Sequence, residues 1–484
     1  MKNIGKLLAL LLSILLTAAA VASCSTPGDP TEGTKAPTPA ESGEVTSPAE
    51  TTAPDPDYYV LPDVDLDGYE MNIFSIMGPV TTWLTFPYFT TEETGTKIGS
   101  TIYTRNARIE EQLHCKINEV NADSTNGELW VTLLADDSDV YQCGVDYSWN
   151  SIARGVENYL IDFNTLDSVH LDKPWWDSNL NDAYQINGRV FITSGSAMVS
   201  SWDEIFVMYF NADLAGDLGL NLYQEVKDGA WTFDRMCELI AVGDNSLNSV
   251  GAVEETYGLA TQSFYSVPAF LGTNQVTYGI LNENGKVENF SNSPKFVETA
   301  QILAEKLPAS DSIYYGDHEI NEIFTGGRAF FLNECIGAMA NMRWVEAFDY
   351  GVLPMPLWEE GDDYHSYSGA QYLLFIPYTN REVEKTGTIL EAMMGLSEST
   401  LKPVYIEDML GQIYSRTPEA AEMLMDYILP NTLYDIGGRQ GLQFNTLIPL
   451  DRAIPLGMTE IQSMVDSVVD TIQGKIDNIN NYSD

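Results

Sequence analysis

Basic residues are scarce in this chain relative to acidic ones. Its 484 residues include 24 Lys and Arg against 70 Asp and Glu, which gives a formal net charge of −46. A surface of this sign repels the phosphate backbone of nucleic acids, so we expect no nucleic-acid partner. The charge also predicts a well-solvated exterior, but it identifies no ligand.

Cysteine and histidine are also few, with five Cys and four His in the chain. There is no C-x-x-C pair and the histidines are scattered, so no metal-ligand spacing appears, and we expect neither a metal nor a cofactor. The spacing of four of the cysteines leaves two states open, one or two disulfides and buried free thiols. These four are Cys115, Cys143, Cys237 and Cys335.

Sequence motifs of common enzymes are missing as well. The chain contains no G-x-S-x-G, no H-E-x-x-H and no phosphate-cradling glycine loop. A pair of carboxylates for glycoside hydrolysis is defined by its separation in space, so the sequence cannot point to one. We therefore expect a protein without catalytic activity, and a surface-attached glycan-degrading enzyme stays as an alternative.

The amino terminus has the organisation of a secretory signal peptide. Lys2 and Lys6 form a basic start, the run from Leu7 to Leu16 is apolar, and small residues precede Cys24. The apolar run is too short to span a membrane as a helix. We therefore predict a signal peptide over residues 1–23 and an extracytoplasmic location for the mature chain.

The end of this segment, Val21-Ala22-Ser23-Cys24, resembles a bacterial lipobox. The resemblance implies cleavage before Cys24 and a lipid on its sulfur, with an ordinary signal peptide as the alternative. Two acyl chains are the number that gives stable anchoring. We therefore expect the mature protein to be anchored to the cell membrane through Cys24.

Residues 24–60 are rich in Ser, Thr, Pro, Gly and Glu and almost free of large apolar side chains. Such a segment cannot bury a core, so we expect a disordered tether. A flexible coil of this length spans about 30–35 Å on average. The segment would hold a globular body, beginning near Leu61, away from the membrane.

The globular part alternates strand and helix patterns. In "GSTIYTRNARIEEQLHCKINEV" the apolar residues Ile102, Ile109 and Leu113 recur at helical spacing before a second strand. A further such region opens at "NGRVFITSG" and "EIFVMYF", where Asn211 and Asp213 begin a helix after the strand. This order predicts an α/β fold, and the length exceeds what one core usually supports.

Three separated stretches carry a family resemblance. They are "VMYFNADLAGDLGLNLYQEVKDGAWTFDRMCEL", "EIFTGGRAFFLNECIGAMA" and "FDYGVLPMPLWEEGDDYHSYSGAQYLLFIP". In this order, and with the lipobox upstream, they resemble the extracellular solute-binding lipoproteins of bacterial ABC importers, in the carbohydrate-type, family 1-like group. Ala212 stands where that family often has lysine.

The resemblance implies a two-lobed periplasmic-binding-protein-like fold of type II, with a hinge of several chain crossings. Lobe one would comprise residues 61–165 and 312–350, and lobe two residues 175–308 and 370–484. A monomer would bind a sugar or oligosaccharide between the lobes and deliver it to the subunits of an ABC permease. The alternatives within this fold and location are a receptor for a peptide or another polar solute, and a structural or adhesion lipoprotein.

Ligands of open α/β sheets bind outside the carboxyl ends of the strands. Sugars offer apolar faces to aromatic rings and hydroxyl groups to carboxylates and amides. Loops at predicted strand ends therefore supply the expected ligand-binding residues. These are Trp83, Asp146, Tyr147, Trp149, Trp202, Asp203, Asn333, Glu334, Tyr367 and Gln371, with Ser368 beside them.

Each of these tryptophans has a structural alternative, because a Trp in a short loop often covers the core. Trp175 and Trp176 follow Pro174 and are expected to pack the hinge. Trp231 precedes a helix and Trp344 sits within a helical pattern, so we expect both to be packing residues.

Overall fold

The structure is a computed structural model, and it describes most of the chain beyond the amino-terminal segment. The described residues are 58–75, 89, 95–121, 139–249, 255–307, 311–317, 319–369, 372–439 and 441–481. The predicted signal peptide, Cys24 and the tether up to residue 57 lie outside these ranges. Among the described residues, no helix is both long enough and apolar enough to cross a membrane.

The strands are numbered along the chain. They are β1 (Tyr69–Ser75), β2 (Cys115–Asn121), β3 (Cys143–Tyr147), β4 (Phe206–Asn211), β5 (Tyr257–Gln262), β6 (Gly279–Leu281), β7 (Val287–Asn289), β8 (Ile313–Gly316), β9 (Ala329–Cys335), β10 (Tyr350–Leu353), β11 (Ser366–Tyr367), β12 (Tyr372–Phe375) and β13 (Thr432–Leu433).

The α-helices are numbered in the same way. They are α1 (Lys97–Leu113), α2 (Ser148–Val156), α3 (Ser178–Tyr184), α4 (Ala212–Asp217), α5 (Leu222–Lys227), α6 (Phe233–Ser249), α7 (Ser266–Gly272), α8 (Pro294–Lys306), α9 (Glu319–Thr325), α10 (Met339–Met342), α11 (Val383–Ser399), α12 (Leu401–Pro403), α13 (Pro418–Glu422), α14 (Leu450–Ala453), α15 (Ile461–Asp466) and α16 (Val469–Asn481). Two π-helical segments, Val404–Tyr414 and Met423–Ile428, continue α12 and α13.

Lobe one is built on a four-stranded sheet with the order β12-β3-β1-β2. β1 lies parallel to both β2 and β3. Helix α1 lies between β1 and β2 in the chain, as the strand–helix–strand pattern predicts. Strand β12 joins the edge antiparallel to β3. The inner face of the sheet buries apolar side chains such as Met71, Ile73 and Val145. These side chains form the core of lobe one.

Lobe two is built on a five-stranded sheet with the order β10-β4-β9-β5-β8. β5 is parallel to β8 and β9, whereas β4 runs antiparallel to β9 and β10. Asn211 caps α4 as predicted, since its side chain accepts a hydrogen bond from the backbone N–H of Leu214 at 3.0 Å. Two further pairs of strands form small separate sheets, β6 with β7 and β11 with β13.

The sheets divide the chain differently from the sequence-based lobe boundaries. Residues 312–350 were expected in lobe one, but β8 and β9 pair with β5 in lobe two. Residues 370–484 were expected in lobe two, but β12 pairs with β3 in lobe one. The reason is that hydrophobic pattern shows where a strand lies along the chain, whereas the sheet it joins depends on contacts distant in sequence.

Two segments of the chain cross between the lobes, and they pair with each other near each end. Thr193 bridges Leu374 at the lobe-one end, and Ile205 bridges Ser368 at the lobe-two end, both antiparallel. The backbone N–H of Gly369 also donates to the carbonyl oxygen of Glu204, in the first segment, at 2.9 Å. We call residues 193–205 the first crossing, and its partner, which spans from residue 368 to residue 374, the second crossing.

A third crossing follows α11. This helix packs in lobe one, where Ser397 accepts a hydrogen bond from the buried Arg105 of α1 at 3.0 Å. The chain then enters the π-helical segment of lobe two through Leu401. Lys97 of α1 forms an ion pair with Asp408 of that segment, across the junction. The predicted hinge with several chain crossings is therefore present.

A buried carboxylate of α11 binds the loop that leads to the first crossing. Glu391 is 4% exposed and accepts hydrogen bonds from the indole N–H of Trp175 at 3.1 Å and of Trp176 at 2.8 Å. It also accepts the backbone N–H of His170 at 3.2 Å. Trp176 in turn bridges Gly195 in the first crossing. The expectation that the two tryptophans pack the hinge is confirmed.

The other two tryptophans with predicted packing roles differ. Trp231 is fully buried and donates its indole N–H to the carbonyl oxygen of Pro354 at 3.0 Å, which confirms the prediction. Trp344 is 72% exposed, with the guanidinium of Arg343 over its ring at 4.6 Å, so that prediction is wrong. Helix α10 ends at Met342, and the helical pattern therefore does not carry Trp344 into the core.

All four cysteines of the described residues are free thiols. Burial raises the pKa of Cys115 to about 11 and that of Cys237 to about 12, and it raises the pKa values of Cys143 and Cys335 further. Of the two states left open by the sequence, the structure has the buried free thiols.

Replacing Glu391 tests the role of its carboxylate. Glu391→Gln puts an amide NH2 where indole and backbone N–H groups now donate, which leaves buried donors unpaired. We expect the free energy of unfolding to fall by about 1–3 kcal/mol in denaturant titrations. Glu384→Gln is the matched control, since this exposed carboxylate of α11 accepts backbone N–H groups from Asp167 and Ser168 where water can replace it. Equal losses in both variants would contradict the assignment.

Candidate ligand-binding cleft

The carboxyl ends of the parallel strands in both lobes face one gap. The first crossing leaves lobe one in the direction of β3, because it runs antiparallel to β12, which is itself antiparallel to β3. It enters lobe two as β4, whose first residue Phe206 pairs with Cys335, the last residue of β9. The ends of β1, β2 and β3 therefore face the ends of β5, β8 and β9 across the crossings. We call this gap the cleft.

On the lobe-one side of the cleft, aromatic residues follow β3. Tyr147 ends the strand and stacks on Trp149 of α2, with ring centroids 4.2 Å apart and planes 18° apart. The buried ring of Tyr372, the first residue of β12, has its centroid 5.0 Å from that of Tyr147. Tyr147 and Trp149 are both partly exposed. These rings form a platform of the kind that the apolar face of a sugar ring requires.

Asp146, the residue before Tyr147, is a buried carboxylate that stabilises the end of β3. It is 3% exposed, and its carboxylate accepts the backbone N–H of Tyr147 at 2.7 Å and the side-chain amide of Asn150 at 3.5 Å. The carboxylate therefore fixes the start of α2. Two other predicted residues, Trp83 and Gln371, lie outside the described residues.

On the lobe-two side, two predicted residues end β9. Asn333 is fully buried, donates to the carbonyl oxygen of Val207 at 3.1 Å and accepts from the hydroxyl of Thr261 at 3.1 Å. It therefore joins β9 to both neighbouring strands. Glu334 is 5% exposed and accepts the side-chain amide of Gln262, the last residue of β5, at 2.6 Å.

The remaining predicted residues lie near the crossings. Asp203 is fully buried and accepts the hydroxyl of Tyr405, and Tyr367 is 2% exposed with its ring 6.3 Å from that of Phe206. Ser368, 1% exposed, pairs with the first crossing through its backbone. These residues therefore support the crossings from within the core.

Trp202 lines a separate, lateral cavity that includes several residues of the first crossing. This lateral cavity has a volume of about 330 Å³ and is lined by both lobes. Trp176 and Gly195 line it from lobe one, and Tyr434 and Lys402 line it from lobe two. The ammonium of Lys402 lies 5.8 Å from the Trp202 ring. The structure therefore places Trp202 in the lateral cavity, whose lining residues do not include Tyr147 or Trp149.

Sequence reasoning missed an aromatic pair that follows β5. Phe264 is 42% exposed, and Tyr265 stacks on Phe206 with ring centroids 5.4 Å apart and planes 25° apart. The guanidinium of Arg439 lies 4.8 Å from the Phe264 centroid and 5.6 Å from that of Tyr265. The strand-end rule used for β3 and β9 would have found Phe264 and Tyr265 in "ATQSFYS", had it been applied there.

Arg439 is placed by a buried carboxylate four residues earlier. Asp435 is 2% exposed and accepts the backbone N–H groups of Tyr278 at 2.9 Å, Gly279 at 3.2 Å and Gly437 at 2.9 Å. Burial raises the pKa of Asp435 to about 6, although the N–H groups partly oppose this change. No sequence pattern signals this arrangement, since it depends on backbone groups more than 150 residues away.

The described side chains of the cleft are polar and aromatic. Within the described ranges, no three His, Cys, Asp or Glu side chains are grouped so that they could hold a metal ion. The described side chains on the two sides offer aromatic stacking, hydrogen bonding and the guanidinium of Arg439.

No model of a known protein family matches this sequence, and no curated protein matches it. Solved structures match it in fold. UgpB from Mycobacterium tuberculosis, in complex with glycerophosphocholine, is 14% identical with a TM-score of 0.54, covering 81% of this chain and 99% of UgpB. ABC substrate-binding protein Lmo0181 from Listeria monocytogenes, in complex with cycloalternan, is 12% identical with a TM-score of 0.53, covering 84% of this chain and all of Lmo0181 (100%).

A third structure, the cyclic alpha-maltosyl-1,6-maltose binding protein from Arthrobacter globiformis, is 14% identical with a TM-score of 0.57. It covers 85% of this chain and 100% of its own. At this level of identity the likeness concerns the fold. The predicted two-lobed α/β fold of type II, shared with ABC substrate-binding proteins, is confirmed.

The raised pKa of Asp435 gives a pH dependence with a defined sign. The folded protein keeps this proton up to about pH 6, whereas the unfolded chain releases it near pH 4. Protonation therefore favours folding, and the group adds about 1 kcal/mol to the free energy of unfolding as the pH falls from 7 to 5. In Asp435→Asn this contribution disappears. The difference in free energy of unfolding between the wild type and the variant should therefore grow as the pH falls from 7 to 5.

The measurement is denaturant titration of both proteins at several pH values. Asp217→Asn, which changes an exposed carboxylate at the end of α4, is the control and should keep a constant difference from the wild type. A pH-independent difference for Asp435→Asn would contradict the raised pKa.

Proposed function

We propose that this protein is an extracytoplasmic receptor that captures a sugar or oligosaccharide in the cleft and delivers it to an ABC permease. The observation that carries the proposal is the meeting of strand ends from both lobes at one gap with aromatic side chains on each side. Tyr147 and Trp149 line it from lobe one, and Phe264 lines it from lobe two. Lmo0181 with cycloalternan and the cyclic maltosyl-maltose binding protein, which share the fold, support a carbohydrate ligand.

Binding would couple to closure through the crossings. A ligand that contacts both lobes has more partners in the closed state, so it shifts the population toward that state. Sugar rings would stack on the Tyr147–Trp149 platform, while hydroxyl groups would meet the amide of Gln262 and nearby backbone groups at the ends of β5 and β9. No covalent step is needed for this cycle.

The remaining parts of the proposal concern location and partners. The lipid on Cys24 would anchor the chain to the cell membrane, and residues 24–60 would let the body reach the permease subunits. The receptor would act as a monomer, because one cleft with two sides supplies all the contacts described. The predicted site residues Trp83 and Gln371 belong to this proposal through the sequence alone, in which Trp83 follows β1 and Gln371 precedes β12.

A ligand panel tests the proposed function. We expect at least one glycan to raise the melting temperature and to be recovered chemically unchanged, as checked by mass spectrometry. Trp149→Ala should weaken binding of that glycan by about tenfold or more, since a stacking platform is lost. The melting temperature without ligand should stay close to that of the wild type, because Trp149 is partly exposed.

Trp344→Ala is the matched control for Trp149→Ala. Trp344 is 72% exposed. The next residue, Val345, accepts a hydrogen bond from Arg416, whose guanidinium lies 5.1 Å from the ring centroid of Tyr350. Tyr350 pairs with the last residue of β4, at the end of the sheet away from the cleft. This variant should bind the glycan normally. Loss of binding in Trp202→Ala but not in Trp149→Ala would instead place the solute in the lateral cavity. Product formation would indicate an enzyme, and a response to peptides alone would indicate a peptide receptor.

A further inference from the structure

Arg439 has an unusual environment for a cation in this acidic protein. Its guanidinium stacks on Phe264 and Tyr265 at 4.8 and 5.6 Å from the ring centroids. The side chain is partly exposed, and it belongs to the lobe-two side of the cleft because Phe264 and Tyr265 directly follow β5. Stacking fixes the plane of the guanidinium and leaves its N–H edge for hydrogen bonds.

Within the part of the chain that the structure describes, no carboxylate lies within 4.0 Å of Arg439. Other arginines do have such partners: Arg235 binds Glu225 at 3.0 Å, and Arg416 binds Asp349 at 2.9 Å. With 70 acidic residues available, an arginine without an acidic partner at a ligand-binding cleft is an available anion site. Planar oxyanions are the groups that an arginine fork binds best.

The carboxylate of Glu334, near the end of β9, is already engaged by other groups. Glu334 accepts the backbone N–H of Cys335 at 2.8 Å and the amide of Gln262 at 2.6 Å, and it is 5% exposed. The Glu334 carboxylate is therefore bound by groups of lobe two. Asp435, which holds the loop of Arg439, spends its oxygens on backbone N–H groups. Neither carboxylate replaces a ligand anion at the guanidinium.

We propose that Arg439 binds an anionic group of the solute, so that the receptor prefers acidic sugars to neutral sugars of the same size. The anionic group is a carboxylate, a sulfate or a phosphate, and the solute stacks its ring on the aromatic residues of the cleft. This inference rests on the proposed function, since it assigns the substrate class of the same site.

The test compares matched ligands by isothermal titration calorimetry. The pairs are a disaccharide containing a uronic acid and its carboxyl-reduced neutral counterpart, and a sugar phosphate and sulfate with their neutral parent. We expect the wild type to bind one acidic member at least about tenfold more tightly than its neutral partner. The preference should shrink as salt rises, because charge pairing at a partly exposed site is screened.

Variants assign the preference to the guanidinium. Arg439→Gln should bring the affinities for the acidic and the neutral ligand to within about twofold of each other, whereas Arg439→Lys should keep part of the preference. Arg189→Gln is the matched control, because Arg189 is another partly exposed arginine over an aromatic ring, 5.0 Å from the centroid of Phe191 in lobe one. It should keep the full preference.

The outcomes separate this inference from the proposed function. Equal affinity for acidic and neutral sugars in the wild type would overturn the inference while supporting a sugar receptor. A preference that survives in Arg439→Gln would place the anion site elsewhere. Binding of none of these sugars in either form would contradict the proposed function itself.

Discussion

The antiparallel pairing of the two crossings is the constraint on which the rest of the structure depends. Thr193 pairs with Leu374 beside the lobe-one sheet, and Ile205 pairs with Ser368 beside the lobe-two sheet. The directions of β3 and β4 relative to each other follow from these two pairings, and so does the meeting of strand ends at the cleft. Glu391 supports the lobe-one end by binding Trp175 and Trp176 beside the first crossing.

Local features of this fold were predictable from the sequence because they depend on neighbouring residues. The helix cap at Asn211 and the burial of Trp231 depend on a few adjacent positions, and both predictions are confirmed. The assignment of β8 and β9 to lobe two was not predictable in this way, since strand pairing is made between segments far apart. The prediction for Trp344 is wrong because helix α10 ends at Met342, two residues before it.

The candidate site shows the same limit. The strand-end rule points to Tyr147 and Trp149, which stack on each other at the end of β3. It could not separate accessible side chains from supporting ones, so Asp203 and Asn333 are buried although they follow the same pattern. Arg439 is brought to the cleft by Asp435 and the backbone of residues 278–279, and a sequence contains no local sign of such a contact.

The four thiols have a practical consequence for studying lobe motion. Cys115 and Cys143 are buried, Cys237 and Cys335 are partly buried, and burial raises the pKa of each. Thiolates are the species that alkylating reagents attack, so these positions should react slowly. A surface cysteine introduced into each lobe would then take a fluorophore selectively. Energy transfer between the two dyes would follow the opening and closing of the cleft in real time, without removal of these four cysteines.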